Sequence, residues 1–171
     1  MNSYDKGLMW FRRDLRAEDN AALYHALKVC RQVWCVFVFD TEILDDLLER
    51  GLRADRRVEF IRESLVELDT HLRELSDHAQ GGLIVLHAAA VDAVPQLAQA
   101  LGVNAVFTNH DDEPQALQRD NAVRAQLARN GVAMHTYKDH TVLERDEVLT
   151  QSGTPYSVFT PYKNAWLRKI N

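Results

Sequence analysis

A chain of 171 residues, 46% of them apolar, can bury one substantial core and fits one domain better than two. Its net charge of −5 offers no sequence-independent attraction to a nucleic-acid backbone, so a DNA-binding surface is expected to lie outside this chain. Cys30 and Cys35 form no CxxC pair, Met1 to Trp10 has no signal-peptide pattern, no apolar run reaches membrane-spanning length, and the seven histidines lack zinc-ligand companions, so a cytoplasmic protein with no membrane partner and no metal site is expected.

In chain order, Leu8 to Phe11, Val33 to Phe39, Leu83 to Leu86 and Ala105 to Phe107 are continuously apolar, with a weaker run at Val132 to Tyr137. Runs apolar on both faces suit parallel strands covered by helices on each side. The segments between them read as helices: Ala21 to Val29, a long one carrying Val58, Ile61, Leu65, Leu68, Leu72 and Leu75 at spacings of three and four, Val91 to Leu101, and Pro114 to Asn130. The charged opposite face of the long helix (Arg62, Glu63, Glu67, Asp69, Arg73) makes it a cover on a sheet. Strands alternating with helices over short connections predict a doubly wound, Rossmann-like five-stranded parallel sheet with helices on both faces. In such a sheet a ligand sits beyond the carboxyl ends of the strands, which directs attention to the loops after Phe11, Phe39, His87 and Asn109.

After Tyr137 the pattern breaks. Residues 1–137 are expected to form the α/β domain, and 138–171 a connector containing the turn-rich Gln151 to Pro155 and a last helix. Thr160 before Pro161 offers a cap, so that helix is expected over Tyr162 to Ile170, with no terminator following it.

The first strand-to-helix turn, Arg12 to Asn20, has no glycine, which disfavours an ordinary dinucleotide or P-loop phosphate site. No GxSxG elbow or HExxH pair occurs, and nothing announces a nucleophile or a general base.

Three segments carry a resemblance. Trp10-Phe11-Arg12-Arg13-Asp14-Leu15-Arg16, continuing through Asp19-Asn20-Ala21-Ala22-Leu23, is similar to the WFRxDLRxxDNxAL signature that opens members of the DNA photolyase/cryptochrome family. Asn109 to Pro114 followed by Arg119-Asp120 resembles the family's fourth-strand loop and helix, and Val158 to Trp166 resembles the segment by which its members leave the α/β domain. The likeness runs through essentially the whole chain, in order.

The resemblance implies the N-terminal antenna domain of a deoxyribodipyrimidine photo-lyase, a two-domain enzyme that repairs pyrimidine dimers with blue or near-ultraviolet light. FAD and the damaged DNA would be held by a helical C-terminal domain that this chain lacks, so the fragment alone should be an inactive monomer. Its own task would be to hold an antenna chromophore, a deazaflavin, a folate or a flavin, that passes excitation to the FAD. In folate-binding relatives an Asn-Glu pair is expected where Gln115 and Ala116 stand here, whereas Asp111, Glu113 and Pro114 resemble the acidic pattern of deazaflavin-binding members. A deazaflavin is therefore the first expectation, with Arg57 supplying a donor fork and the loop at Phe39 and Asp40 an apolar wall.

Plainer readings stand beside these. Asp111, Asp112 and Glu113 can cap the helix that Pro114 opens, Asp19 or Asn20 the first helix, and Asp14 can pair with Arg12, Arg13 or Arg16. Arg57 can be a solvated helix residue, and Trp10, Trp34 and Trp166 core or interface residues. The rival functions are a cryptochrome photoreceptor domain, which only residues outside this chain could distinguish, a stand-alone nucleotide-binding α/β module, and an interaction module that docks through its last helix.

Overall fold

The computed structural model describes residues 3–49, 51, 55–76 and 81–170. Strands β1 (Tyr4–Phe11), β2 (Cys30–Asp40), β3 (Leu83–Ala88), β4 (Ala105–Asn109) and β5 (Ala133–Tyr137) form one sheet in the order β3-β2-β1-β4-β5. Every pairing is parallel. The chain winds outward from β1 to β3, returns to the other side of β1 and winds outward again, so the order reverses between β1 and β4. This is the doubly wound sheet expected from the apolar runs.

Helices α1 (Ala21–Val29) and α3 (Arg56–Glu74) cover one face, with Leu65, Leu68 and Leu72 packed among Met9, Phe11 and Phe107. Helices α4 (Ala90–Leu101) and α5 (Pro114–Arg129) cover the other, where Val94, Val123 and Leu127 meet Leu8, Trp10 and Val106. Neighbouring β1 residues thus belong to opposite cores, which is why that strand reads as apolar without alternation.

Four expectations are refined. Between β2 and α3 the chain forms an additional helix, α2 (Thr41–Glu49), where a loop was expected. The α3 stripe is buried only through its middle; Leu75, at 69% exposure, lies outside the core cluster that Leu68 joins. Asp69 does more than solvate the outer face: it accepts the Leu83 N–H at 2.7 Å and binds the Arg73 guanidinium, anchoring the start of β3. Gly82 passes there with φ +140°, and a Cβ on it would stand 2.5 Å from the Asp69 carboxylate. The last helix, α6 (Phe159–Ile170), starts before the expected Tyr162, so Thr160 and Pro161 occupy its first turn. Proline costs nothing there because first-turn N–H groups have no intrahelical acceptor.

The connector is fastened to the sheet. His110 Nδ1 meets the Glu144 carboxylate at 2.8 Å, and Arg145 bridges to Asp112 at 2.5 Å. Glu144 and Glu147 form a reciprocal capping box around the short 3₁₀ turn Arg145–Glu147.

Both thiols are free and buried, and burial pushes Cys35 up to about 12. Cys35 should therefore remain unlabelled by a thiol-specific disulfide reagent at pH 8 in the native chain and react once unfolded in urea, as read by mass spectrometry of the labelled peptide. Leu68→Ala should cost about 2–5 kcal/mol in urea unfolding, against no more than about 0.5 kcal/mol for Leu75→Ala on the same sequence stripe.

Candidate functional site

The loop from Arg12 to Asn20 is organised by buried amides and one carboxylate. Asp14 Oδ1 accepts the Arg12 backbone N–H at 3.0 Å; its Oδ2 accepts Asn20 Nδ2 at 3.1 Å and Asn109 Nδ2 at 2.6 Å. Asp14 thus binds amides rather than the neighbouring arginine side chains suggested by the sequence. Those arginines reach elsewhere: Arg12 to Asp120, Arg13 to Asp111 and Glu113, Arg16 to Asp139.

The same network consumes the free end of α1. Ala21 N–H goes to Asp139, Ala22 N–H to Asn109 Oδ1 and Leu23 N–H to Asn20 Oδ1, at 2.9, 2.9 and 3.1 Å. A Rossmann dinucleotide site places its pyrophosphate on these very groups, so the stand-alone nucleotide-binding reading loses its anchor. Asp14, Asp139 and His140 do approach one another, but oxygens of both carboxylates already accept these hydrogen bonds.

On the other side of the β1 carboxyl end lies a cavity of about 620 Å³. Phe37, Phe39 and Trp10 line it from the strands, Ile43 and Leu44 from α2, and Ala116 and Arg119 from α5. This is the crevice that the reversal of strand order creates, and its volume lies in the usual range for small-molecule sites. Two guanidinium groups lie against the Trp10 ring, Arg12 at 5.0 Å and Arg119 at 5.2 Å from its centroid. Arg12 grips Asp120 through Nη1, at 2.6 and 2.7 Å to its two oxygens, and donates through Nη2 to the Asn109 carbonyl. Burial pulls the Arg12 guanidinium below its ordinary value while the Asp120 carboxylate opposes that pull.

Of the residues singled out from sequence, Phe39, Asp40, Asp111 and Glu113 line this one cavity. Arg57 is not among its lining residues: it is exposed and holds Asp55, the N-cap of α3, through Nε at 3.0 Å and Nη2 at 2.5 Å. The acids before α5 do not cap it through their side chains. Glu113 occupies the cap position without a side-chain cap bond and turns to Arg13 at 2.7 Å, a contact that raises the Arg13 pKa. Sequence reasoning missed Arg119 as a wall of the cavity and α2 as the supplier of its apolar side. The second carried a signal, since Ile43 and Leu44 recur four residues later as Leu47 and Leu48.

The fold is that of a doubly wound α/β domain, with a cleft of small-molecule size at the carboxyl ends of β1 and β2. The family model for DNA photolyase matches residues 7–171, and the chain belongs to that family. It is 34% identical over 159 residues to the deoxyribodipyrimidine photo-lyase of a Synechococcus species, covering 93% of this chain and 31% of that protein. Cryptochrome-1 of Arabidopsis thaliana is 31% identical, over 91% of this chain and 22% of the relative. Among solved structures, the archaeal photolyase of Sulfolobus tokodaii superposes with a TM-score of 0.74 at 30% identity, over 93% of this chain and 34% of that one. That structure is described as containing two FAD molecules, with the implication of a novel light-harvesting cofactor. The chain thus spans about a third of the photo-lyases it matches. No helix among the described residues is long and apolar enough to cross a membrane.

Asp120→Ala would leave the Arg12 guanidinium buried without its counter-charge and should cost about 3–5 kcal/mol in urea unfolding. Arg145→Ala, which removes a half-exposed pair with Asp112, should cost less than about 1 kcal/mol in the same measurement.

Proposed function

We propose that this chain is the light-harvesting domain of a photo-lyase, with an antenna chromophore seated in the cleft between α2, α5 and the carboxyl ends of β1 and β2. The observation that carries this reading is the cleft itself: aromatic and aliphatic walls around a charge-paired polar floor, with no cysteine, serine or histidine among the described residues that line it. Such a site suits a dye that must be held and shielded rather than chemically changed. When bound, the chromophore supplies light absorption and excitation transfer to an FAD carried by another part of the protein.

A flavin-type ring, a deazaflavin or a flavin, fits the lining better than a folate. Gln115 and Ala116 line the cleft at the positions where the resemblance expects a folate-binding Asn-Glu pair. For a deazaflavin, the buried Asp111 and the exposed Glu113 both line the cleft, and Arg13 engages both carboxylates. A flavin is supported by the second FAD described for the Sulfolobus relative. The residues of this chain would then act by position: Phe39, Ile43 and Leu44 exclude water from the ring faces, and the ion pairs around Arg12 and Arg13 hold the walls at fixed spacing. For the whole protein the proposed activity is light-driven repair of pyrimidine dimers in DNA, with FAD and DNA bound outside this chain.

Titrating the purified chain with a deazaflavin, a flavin and a folate, followed by absorption and fluorescence, tests the reading. A saturable spectral change with a flavin-type dye is expected, weakened by Ile43→Asp, which places a charge in the apolar wall. Failure of all three dyes to bind would overturn the light-harvesting assignment. Light-dependent dimer splitting by this chain alone would overturn the placement of repair chemistry outside it.

A further inference from the structure

Asp40 and Arg119 form a couple that is positioned but left open. Asp40 ends β2, and its Oδ1 accepts the backbone N–H groups of Glu42 and Ala90 at 3.3 and 3.2 Å, which orients the carboxylate between the starts of α2 and α4. Its other oxygen, Oδ2, accepts no hydrogen bond among the described residues; the nearest cation is Arg119 Nη1 at 3.8 Å, outside hydrogen-bond range. Arg119 is held from its far side, by Nε and Nη2 at 3.3 Å from Asp120 Oδ1 and by the face of Trp10. Its Nη1 makes no hydrogen bond among the described residues. Both side chains are about nine-tenths buried, and both line the cleft.

A buried donor and a buried acceptor that face one cavity, are each fixed by other partners and do not bond each other present a two-point polar edge. A gap of this length between polar groups is where a bridging molecule belongs. We propose that this couple is the polar anchor of the cleft ligand and selects a planar ring with a lactam or imide edge, its N–H donating to Asp40 Oδ2 and the adjacent carbonyl accepting from Arg119 Nη1. The inference rests on the light-harvesting reading and narrows it. Apolar walls hold the ring by area, and the couple sets which way round the ring lies. Arg13 engages the other two acids of the cleft, the buried Asp111, which also lies 3.9 Å from Arg119 Nη2, and the exposed Glu113.

The test compares two probes on the chain as it stands, lumiflavin and its N3-methyl derivative, which differ only at N3, where a methyl group replaces the hydrogen-bonding N–H. The unmodified chain should bind lumiflavin at least about tenfold more tightly, as a lost hydrogen bond to a charged, buried partner requires. Asp40→Asn should abolish the preference: its carbonyl must stay on the Glu42 and Ala90 N–H groups, which turns an NH₂ donor toward the ring N–H. Equal binding of both probes by the unmodified chain overturns the couple while leaving the light-harvesting reading intact, and so does a methyl penalty that survives in Asp40→Asn, because that penalty would be steric. Binding of neither probe overturns the couple, and the light-harvesting reading falls with it if the deazaflavin and the folate fail as well. If Asp40→Asn does not fold, Arg119→Met decides: tenfold weaker lumiflavin binding supports the couple, and unchanged binding removes it.

Discussion

Three buried side chains, Asp14, Asn20 and Asn109, hold together the place where the sheet reverses direction. They join the loop after β1, the start of α1 and the end of β4 through hydrogen bonds of 2.6 to 3.1 Å. Each of these groups would be costly to bury alone, and together they satisfy one another. Because the network also consumes the first N–H groups of α1, the anion-binding end that a doubly wound fold ordinarily offers is closed. The fold is Rossmann-like in winding and unlike a dinucleotide domain in chemistry, and both facts come from the same three residues.

Closing that end leaves the cleft on the opposite side of the β1 terminus. Trp10 points into the α4/α5 core, and Arg12 and Arg119 lie against its ring. With Arg13 they face three carboxylates, Asp120, Asp40 and Asp111, so the floor of the cleft is polar and charge-paired. Around it α2 and the ends of β2 supply hydrocarbon and aromatic wall.

The strands and four of the helices were legible in the sequence because apolar runs and three-and-four spacing are local signals that burial on a sheet must obey, and α6 was legible from the cap signal at Thr160 and Pro161. Helix α2 was not, since a nine-residue segment with paired acids between its apolar positions reads as a polar loop until the cleft wall requires it. The site was legible in part: Phe39, Asp40, Asp111 and Glu113 converge, but the partners of the last two were read locally, as helix caps, when their cation, Arg13, lies some 100 positions earlier in the chain. Asp14 likewise seemed destined for the arginines around it, yet it bonds an asparagine from β4.

By itself, the sequence determined the doubly wound class, the positions of its strands and membership of the DNA photolyase family, because each is written in contiguous residues whose pattern or order survives without a partner. Only the tertiary structure decided which end of which helix is closed, that Arg57 stays on Asp55 outside the cleft, and that Asp40 and Arg119 face each other across an open gap. Those outcomes are competitions among many arginines and carboxylates of equal local merit. Their winners are set by distances across the sheet, which no spacing along the chain encodes.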